Sequence, residues 1–213
     1  MLFLLPTLLM AQSNALIEKV KQRIPNIKVG PASDTANEMG PLITAEHRDK
    51  VASYLAGAAG EGATVVVDGR ENAPTGGFFL NPSIIDGVKP GMRCYDEEIF
   101  GPVLNVVRVK SYDEGIALIN ANEFGNGVAI FTRDGGVARE FQFDVTVGMV
   151  GVNVPIPVPV SYYSFGGWKA SLFGDLHMYG PDGIQFYTRS KVVTSRWPDP
   201  RTSKVDLGFP QNR

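Results

Sequence analysis

Apolar residues fall at Ala15, Leu16, Val20 and Ile24, with Glu18, Lys19, Lys21 and Arg23 between them. That spacing builds one apolar stripe on a helix over residues 13–24. Ile24-Pro25 ends it, because the residue before proline is pushed out of the helical region. Residues 28–41, rich in Gly, Pro, Ser, Asp and Asn, read as loop. Thr44 is a candidate N-cap for a second helix, with Glu46 in its first turn and Gly60 suited to its C-cap. Residues 63–67 form a short β-branched strand closed by Asp68-Gly69. Residues 71–77 are turn, and 78–80 and 83–85 are short extended pieces broken by Pro82.

From Val103 the pattern changes. Residues 103–109 are mostly apolar and β-branched, as expected of a strand buried on both faces. Ser111-Tyr112-Asp113-Glu114 is a capping box that opens a helix to about residue 121. Residues 127–132 are the next strand, Asp134 caps a helix to about residue 143, and 147–154 are another strand. Strand–helix–strand–helix–strand predicts an α/β fold with right-handed crossovers and a parallel sheet. Residues 154–160 alternate proline with apolar residues, which implies extended, polyproline-like chain. Ser164-Phe165-Gly166-Gly167-Trp168-Lys169 is glycine-rich but lacks the Lys-Ser/Thr and the strand–loop–helix frame of a phosphate loop. Residues 186–195 read as a terminal strand in which Thr, Val and Tyr alternate with Arg and Lys. Beyond Trp197 the tail is polar and proline-rich, and is expected to be poorly ordered.

Composition narrows the function. The 213 residues are 44% hydrophobic and 20% charged, with a net charge of −2, as in an ordinary soluble domain. No basic tract supports nucleic-acid or membrane-surface binding. The single cysteine excludes an internal disulfide framework. The two histidines, His47 and His177, lie too far apart for metal-ligand spacing and are assigned surface or local hydrogen-bonding roles. Residues 1–10 are strongly apolar but too few to cross a bilayer as a helix. They are read as part of a core helix. A signal-peptide core is the alternative, with Ser13-Asn14-Ala15 as cleavage site, although no Lys or Arg precedes it.

The candidate chemistry lies in Cys94-Tyr95-Asp96-Glu97-Glu98-Ile99-Phe100-Gly101-Pro102-Val103. In extended chain, Glu97 and Glu98 point to opposite faces and do not form a general acid/base pair. One carboxylate can accept two hydrogen bonds from a vicinal diol such as a ribose. Phe100, placed on the same side as Glu98 by the alternation, offers a flat apolar face to a ring. The bland reading has both glutamates solvated and Phe100 in the core.

Glu98-Ile99-Phe100-Gly101-Pro102-Val103 resembles the E-I-F-G-P-V signature of the aldehyde dehydrogenase superfamily. The run from Pro90 to Val103, with Gly151-Val152-Asn153-Val154-Pro155-Ile156-Pro157-Val158-Pro159-Val160 and Gly183-Ile184-Gln185-Phe186-Tyr187-Thr188, resembles its CoA-acylating methylmalonate-semialdehyde dehydrogenase branch. The resemblance runs from about Ile17 to Trp197 and corresponds to the C-terminal part of such an enzyme. It implies the parallel-sheet portion of a catalytic domain over 1–185, an oligomerisation strand over 186–197 and a polar tail over 198–213, with the cofactor-binding half absent. In this branch a cysteine forms a thiohemiacetal, hydride passes to NAD, and the acyl group leaves on CoA, in valine and thymine catabolism. The resemblance assigns Glu98 to the nicotinamide ribose, Phe100 to packing near the nicotinamide, and Phe165 to the aldehyde tunnel. The family is mitochondrial in eukaryotes and cytoplasmic in bacteria, and assembles as dimers and tetramers.

The nucleophile does not carry over. Arg93-Cys94 mimics the family's Arg-Cys pair, but Cys94 stands four residues before Glu98, whereas the family's nucleophile lies far upstream. Cys94 is therefore read as a buried small side chain. The family's NAD-binding turn and its oxyanion-hole asparagine also lie upstream of the matching region. Three readings follow: a catalytically incomplete piece of the dehydrogenase, a non-catalytic remnant serving as a structural subunit, or one half of a split enzyme completed by another chain.

Overall fold

A computed structural model describes residues 7–197, 199 and 201. Four strands form the main sheet, in the order β1 (Thr7–Leu9), β4 (Val103–Val109), β3 (Ser83–Asp86) and β2 (Thr64–Val67). β4 runs parallel to both β1 and β3, and β2 is antiparallel to β3. Helix α1 (Met10–Arg23) follows β1 directly, and α2 (Ala45–Ala58) precedes β2. Thr44 caps α2 by accepting from the His47 amide at 3.1 Å.

Adjacent residues of the central strands feed two cores. Ile84 packs with Ile17 and Val106 on the α1 face. Ile85 packs with Val51, Leu55 and Val107 on the α2 face. Both isoleucines are fully buried. Burial of such a side chain stabilises by roughly 1.5–3 kcal/mol. The sequence expectation of a strand buried on both faces holds for β4, whose bounds are those read from the sequence.

Helix α3 (Arg93–Asp96) is a single turn before β4, and α4 (Tyr112–Ala121) follows β4. Ser111 caps α4 by accepting from the Glu114 amide, and the Glu114 carboxylate accepts from the Lys110 amide. Beyond α4 come β5 (Phe124–Gly125), β6 (Gly127–Ile130), α5 (Gly135–Asp144), β7 (Met149–Val152), β8 (Trp168–Lys169) and α6 (Gly180–Tyr187). β6 and β7 are a parallel pair, and β5 and β8 an antiparallel one. Helix α4 serves two cores. Leu118 packs toward the α2 face, while Ile116 and Ile119 pack around Phe141, Val145 and Val147 of the α5 region.

The structure corrects several expectations. The strand–helix–strand–helix–strand run does not form one sheet. Both edges of β4 are already occupied, by β1 and β3, so β6 pairs with β7 instead. Thr7–Leu9 is strand, not core helix, and α1 begins at Met10; residues 1–6 lie outside the described residues. Residues 78–80 form no strand, although Phe79 and Leu80 are buried. The terminal strand over 186–195 is absent: Phe186 and Tyr187 close α6, and 188–197 have no regular structure. Gly180 at φ 60° lets the chain turn into α6, and the Thr188 hydroxyl donates back to the Ile184 carbonyl at 2.7 Å. A strand pattern without a partner strand cannot close a ladder. The boundary expected between 185 and 186 thus cuts a helix, and most of the expected polar tail lies outside the described residues.

Candidate functional site

The segment from Arg93 to Gly101 is built against α2. Arg93–Asp96 is helical rather than extended, and the chain turns extended at Glu97. The Glu97 carboxylate accepts from the Tyr54 hydroxyl at 2.6 Å and from Arg93 Nε at 3.3 Å. The Arg93 guanidinium lies over the Tyr54 ring, 4.2 Å from its centroid. The Tyr54 hydrogen bond, followed by Arg93, holds the Glu97 carboxyl below its ordinary value. Burial first, then the Glu97 carboxylate, pushes the Tyr54 phenol up.

Glu98 is different. It is half-buried and forms no hydrogen bond or ion pair with any described residue. The two adjacent glutamates therefore differ, Glu97 bound by Tyr54 and Arg93 and Glu98 left with its acceptor oxygens unused among the described residues. Ile99 is buried in the α2-side core.

Phe100 has φ 52°, and its side chain is 69% exposed. A left-handed conformation costs a non-glycine residue about 1–2 kcal/mol. It persists where the surroundings over-determine it. Here the Phe100 carbonyl lies 2.7 Å from His47 Nε2, and the His47 ring stands edge-on to the Phe100 ring at 6.3 Å. The next residue, Gly101, meets Val51 so closely that a Cβ there would stand 2.8 Å from both of its methyl groups. The bland expectation of a core Phe100 fails. The left-handed turn also breaks the strict alternation from which Phe100 and Glu98 were placed on one side.

Cys94 is 2% exposed and sits in the core with Tyr95 and Ile99. Its thiol is pushed up, first by burial and then by the charge of Glu61. A nucleophilic cysteine needs access and thiolate character, and Cys94 has neither. Its carbonyl accepts from buried Asn105 at 2.6 Å, which fixes α3 on β4.

Phe165 lies on the glycine-rich segment, half-buried, its ring stacked on Tyr179 at 4.5 Å and 4°. Gly166 leaves room for His177, which pairs with Asp182 at 3.3 Å. An open hollow of about 510 Å³ is bounded by Trp168, Lys169, Leu172, Asp175 and His177. Glu98, Phe100 and Phe165 do not line it. Among the described residues no cluster of three metal-ligating side chains occurs, and no helix is long and apolar enough to cross a membrane.

The residues that sequence reasoning missed are His47, Val51 and Tyr54. Their spacing along α2 places them on one helical face. The sequence carries that stripe, but nothing in it names the segment the stripe meets.

The sequence matches the aldehyde dehydrogenase family over residues 8–193. It is 56% identical over 189 residues to a malonate-semialdehyde dehydrogenase of Pseudomonas aeruginosa, an alignment covering 87% of this chain and 38% of that one. Its fold superposes on the crystal structure of a methylmalonate-semialdehyde dehydrogenase from Oceanimonas doudoroffii with a TM-score of 0.85 and 54% identity, over 90% of this chain and 40% of that chain. A Sinorhizobium meliloti protein, described as a methylmalonate-semialdehyde dehydrogenase and solved with NAD, gives a TM-score of 0.85 and 47% identity over the same shares. The chain spans well under half the length of these relatives. The match over residues 8–193, carried in part by the E-I-F-G-P-V segment seated on α2, makes this chain a member of the aldehyde dehydrogenase family.

Proposed function

We propose that this chain is part of an NAD-dependent, CoA-acylating methylmalonate- or malonate-semialdehyde dehydrogenase, and that it supplies the nicotinamide-riboside end of the cofactor site. The observation that carries the reading is the pair Glu97 and Glu98: the first is bound by Tyr54 and Arg93, the second keeps its acceptor capacity. A free, half-buried carboxylate suits the two hydroxyls of a ribose. Phe100, held outward, presents an apolar face to a ring. When bound, NAD would take up the hydride. Phe165 belongs to the aldehyde tunnel in this reading, with its ring plane fixed by Tyr179. CoA, the acyl acceptor in the methylmalonate-semialdehyde branch, is part of the same proposal.

Alone, the 213-residue chain is inactive in this reading. Its single cysteine is buried, and no other thiol is available as nucleophile. The purified chain, mixed with malonate semialdehyde, NAD and CoA, should form no NADH above the blank. It should bind nicotinamide riboside weakly in ligand-observed NMR, and Glu98→Ala should abolish that binding. Turnover by the chain would overturn the inactivity; riboside binding that survives E98A would overturn the role of Glu98.

A second reading is favoured by the exposed apolar residues Val154, Ile156, Val158, Val160 and Phe173. They suit a chain covered by a partner, either a second copy or a complementing chain, with the run 188–197 as one point of contact. A structural subunit of a larger assembly would use the same surface.

A further inference from the structure

We propose that His47 and Tyr54 are positioning residues for the free carboxylate of Glu98, acting through the backbone on either side of it. The inference rests on the cofactor reading given above. The Glu98 carboxylate has no hydrogen bond or ion pair to a described residue that would orient it. Its orientation must come from its neighbours, and the same face of α2 grips these at three points. Tyr54 donates its hydroxyl to Glu97, the residue before. Fully buried Val51 packs against Gly101, where only glycine permits the approach. His47 holds the Phe100 carbonyl.

The chemistry of the His47 contact is directional. A carbonyl oxygen only accepts, so His47 Nε2 carries the proton and donates. This single bond fixes the peptide that follows Phe100 and with it the left-handed backbone that sends the Phe100 ring outward. Helix α2 is thus a clamp whose three contacts are spaced one turn apart along a rigid element. Sites held by packed helices keep their geometry better than sites on free loops.

The test uses the 213-residue chain and nicotinamide riboside as probe, with dissociation constants from saturation-transfer NMR and urea midpoints measured in parallel. His47→Ala and Tyr54→Phe should each weaken riboside binding about tenfold, the scale of one lost hydrogen bond. His47→Gln keeps an N–H donor near the Nε2 position and should restore binding to within about twofold of the parent. Parent binding that H47A and Y54F leave unchanged overturns the positioning role and spares the cofactor reading. Equal losses in H47A and H47Q, accompanied by lowered urea midpoints, also overturn it, because they report general destabilisation. Absence of riboside binding by the parent overturns the cofactor reading and this inference with it.

Discussion

One guanidinium ties two strands of the main sheet, β3 and β4, to helix α1. Arg108 of β4 donates from Nε and Nη2 to the Asp86 carboxylate of β3 at 2.9 and 2.7 Å, from Nη1 to Ser13, and from Nη2 to Asn14 at 2.8 Å. The Arg108 hydrogen bonds hold the Asp86 carboxyl below its ordinary value, against the opposing effect of burial. A carboxylate with a depressed folded pKa adds stability above its unfolded value of about 3.9, and that stability is lost as pH falls through the lower folded value. Asp86→Asn should therefore destabilise by about 1–3 kcal/mol near pH 7. The gap to the parent should close below about pH 4, as the parent's own carboxyl protonates. Urea midpoints across that range check this; a gap independent of pH would assign the loss to packing. At this scale the sequence was partly readable. Glu98 stood out through its motif and Cys94 through its position. His47 was assigned a surface or local hydrogen-bonding role; its partner, the Phe100 carbonyl, is 53 residues away in sequence, and such contacts are set by tertiary folding.

Among the elements, those with strong local signals were read well. Thr44, Ser111 and Asp134 all cap the helices expected of them. Helix α5 depends most on its cap, because it opens with Gly135-Gly136, both poor helix formers. Asp134 accepts from the Gly136 and Val137 amides at 2.7 and 3.1 Å. Asp134→Ala should cost about 1–2 kcal/mol. Gly135→Ala should instead stabilise by up to about 1 kcal/mol, since nothing lies within 4 Å of a Cβ there. Thermal unfolding of the two variants should thus shift in opposite directions; a shared direction would exclude this account of the helix start. Elements whose identity depends on a neighbour were misread. The apolar run 7–9 became a strand because β4 offered an edge, and 186–195 formed none because no described strand lies beside it. Strand type is decided by pairing as much as by propensity.

For the molecule as a whole, the distribution of apolar surface is the main fact. Phe173 is 99% exposed, Val192 91% and Phe143 84%. Where exposed apolar side chains adjoin, they mark interaction faces. The purified chain should self-associate, with a sedimentation coefficient that rises with concentration in the micromolar range; a constant value at the mass of one 23.1 kDa chain would count against an uncovered interface. The fold class was legible because β-branched runs and capped helices alternate. Its division into a four-stranded sheet and two separate strand pairs was not, because that depends on which strands fill the edges of β4. The parallel pairing of β1 with β4 has a kinetic meaning as well. Ser13, on the helix that directly follows β1, and Arg108 of β4 are hydrogen-bonded across 95 residues of sequence. Closing so long a loop is entropically costly, and such closures slow folding. Until it closes, β4 presents a bare edge to any strand that reaches it first, so the race between β1 and a foreign chain decides how much of this protein reaches its native sheet.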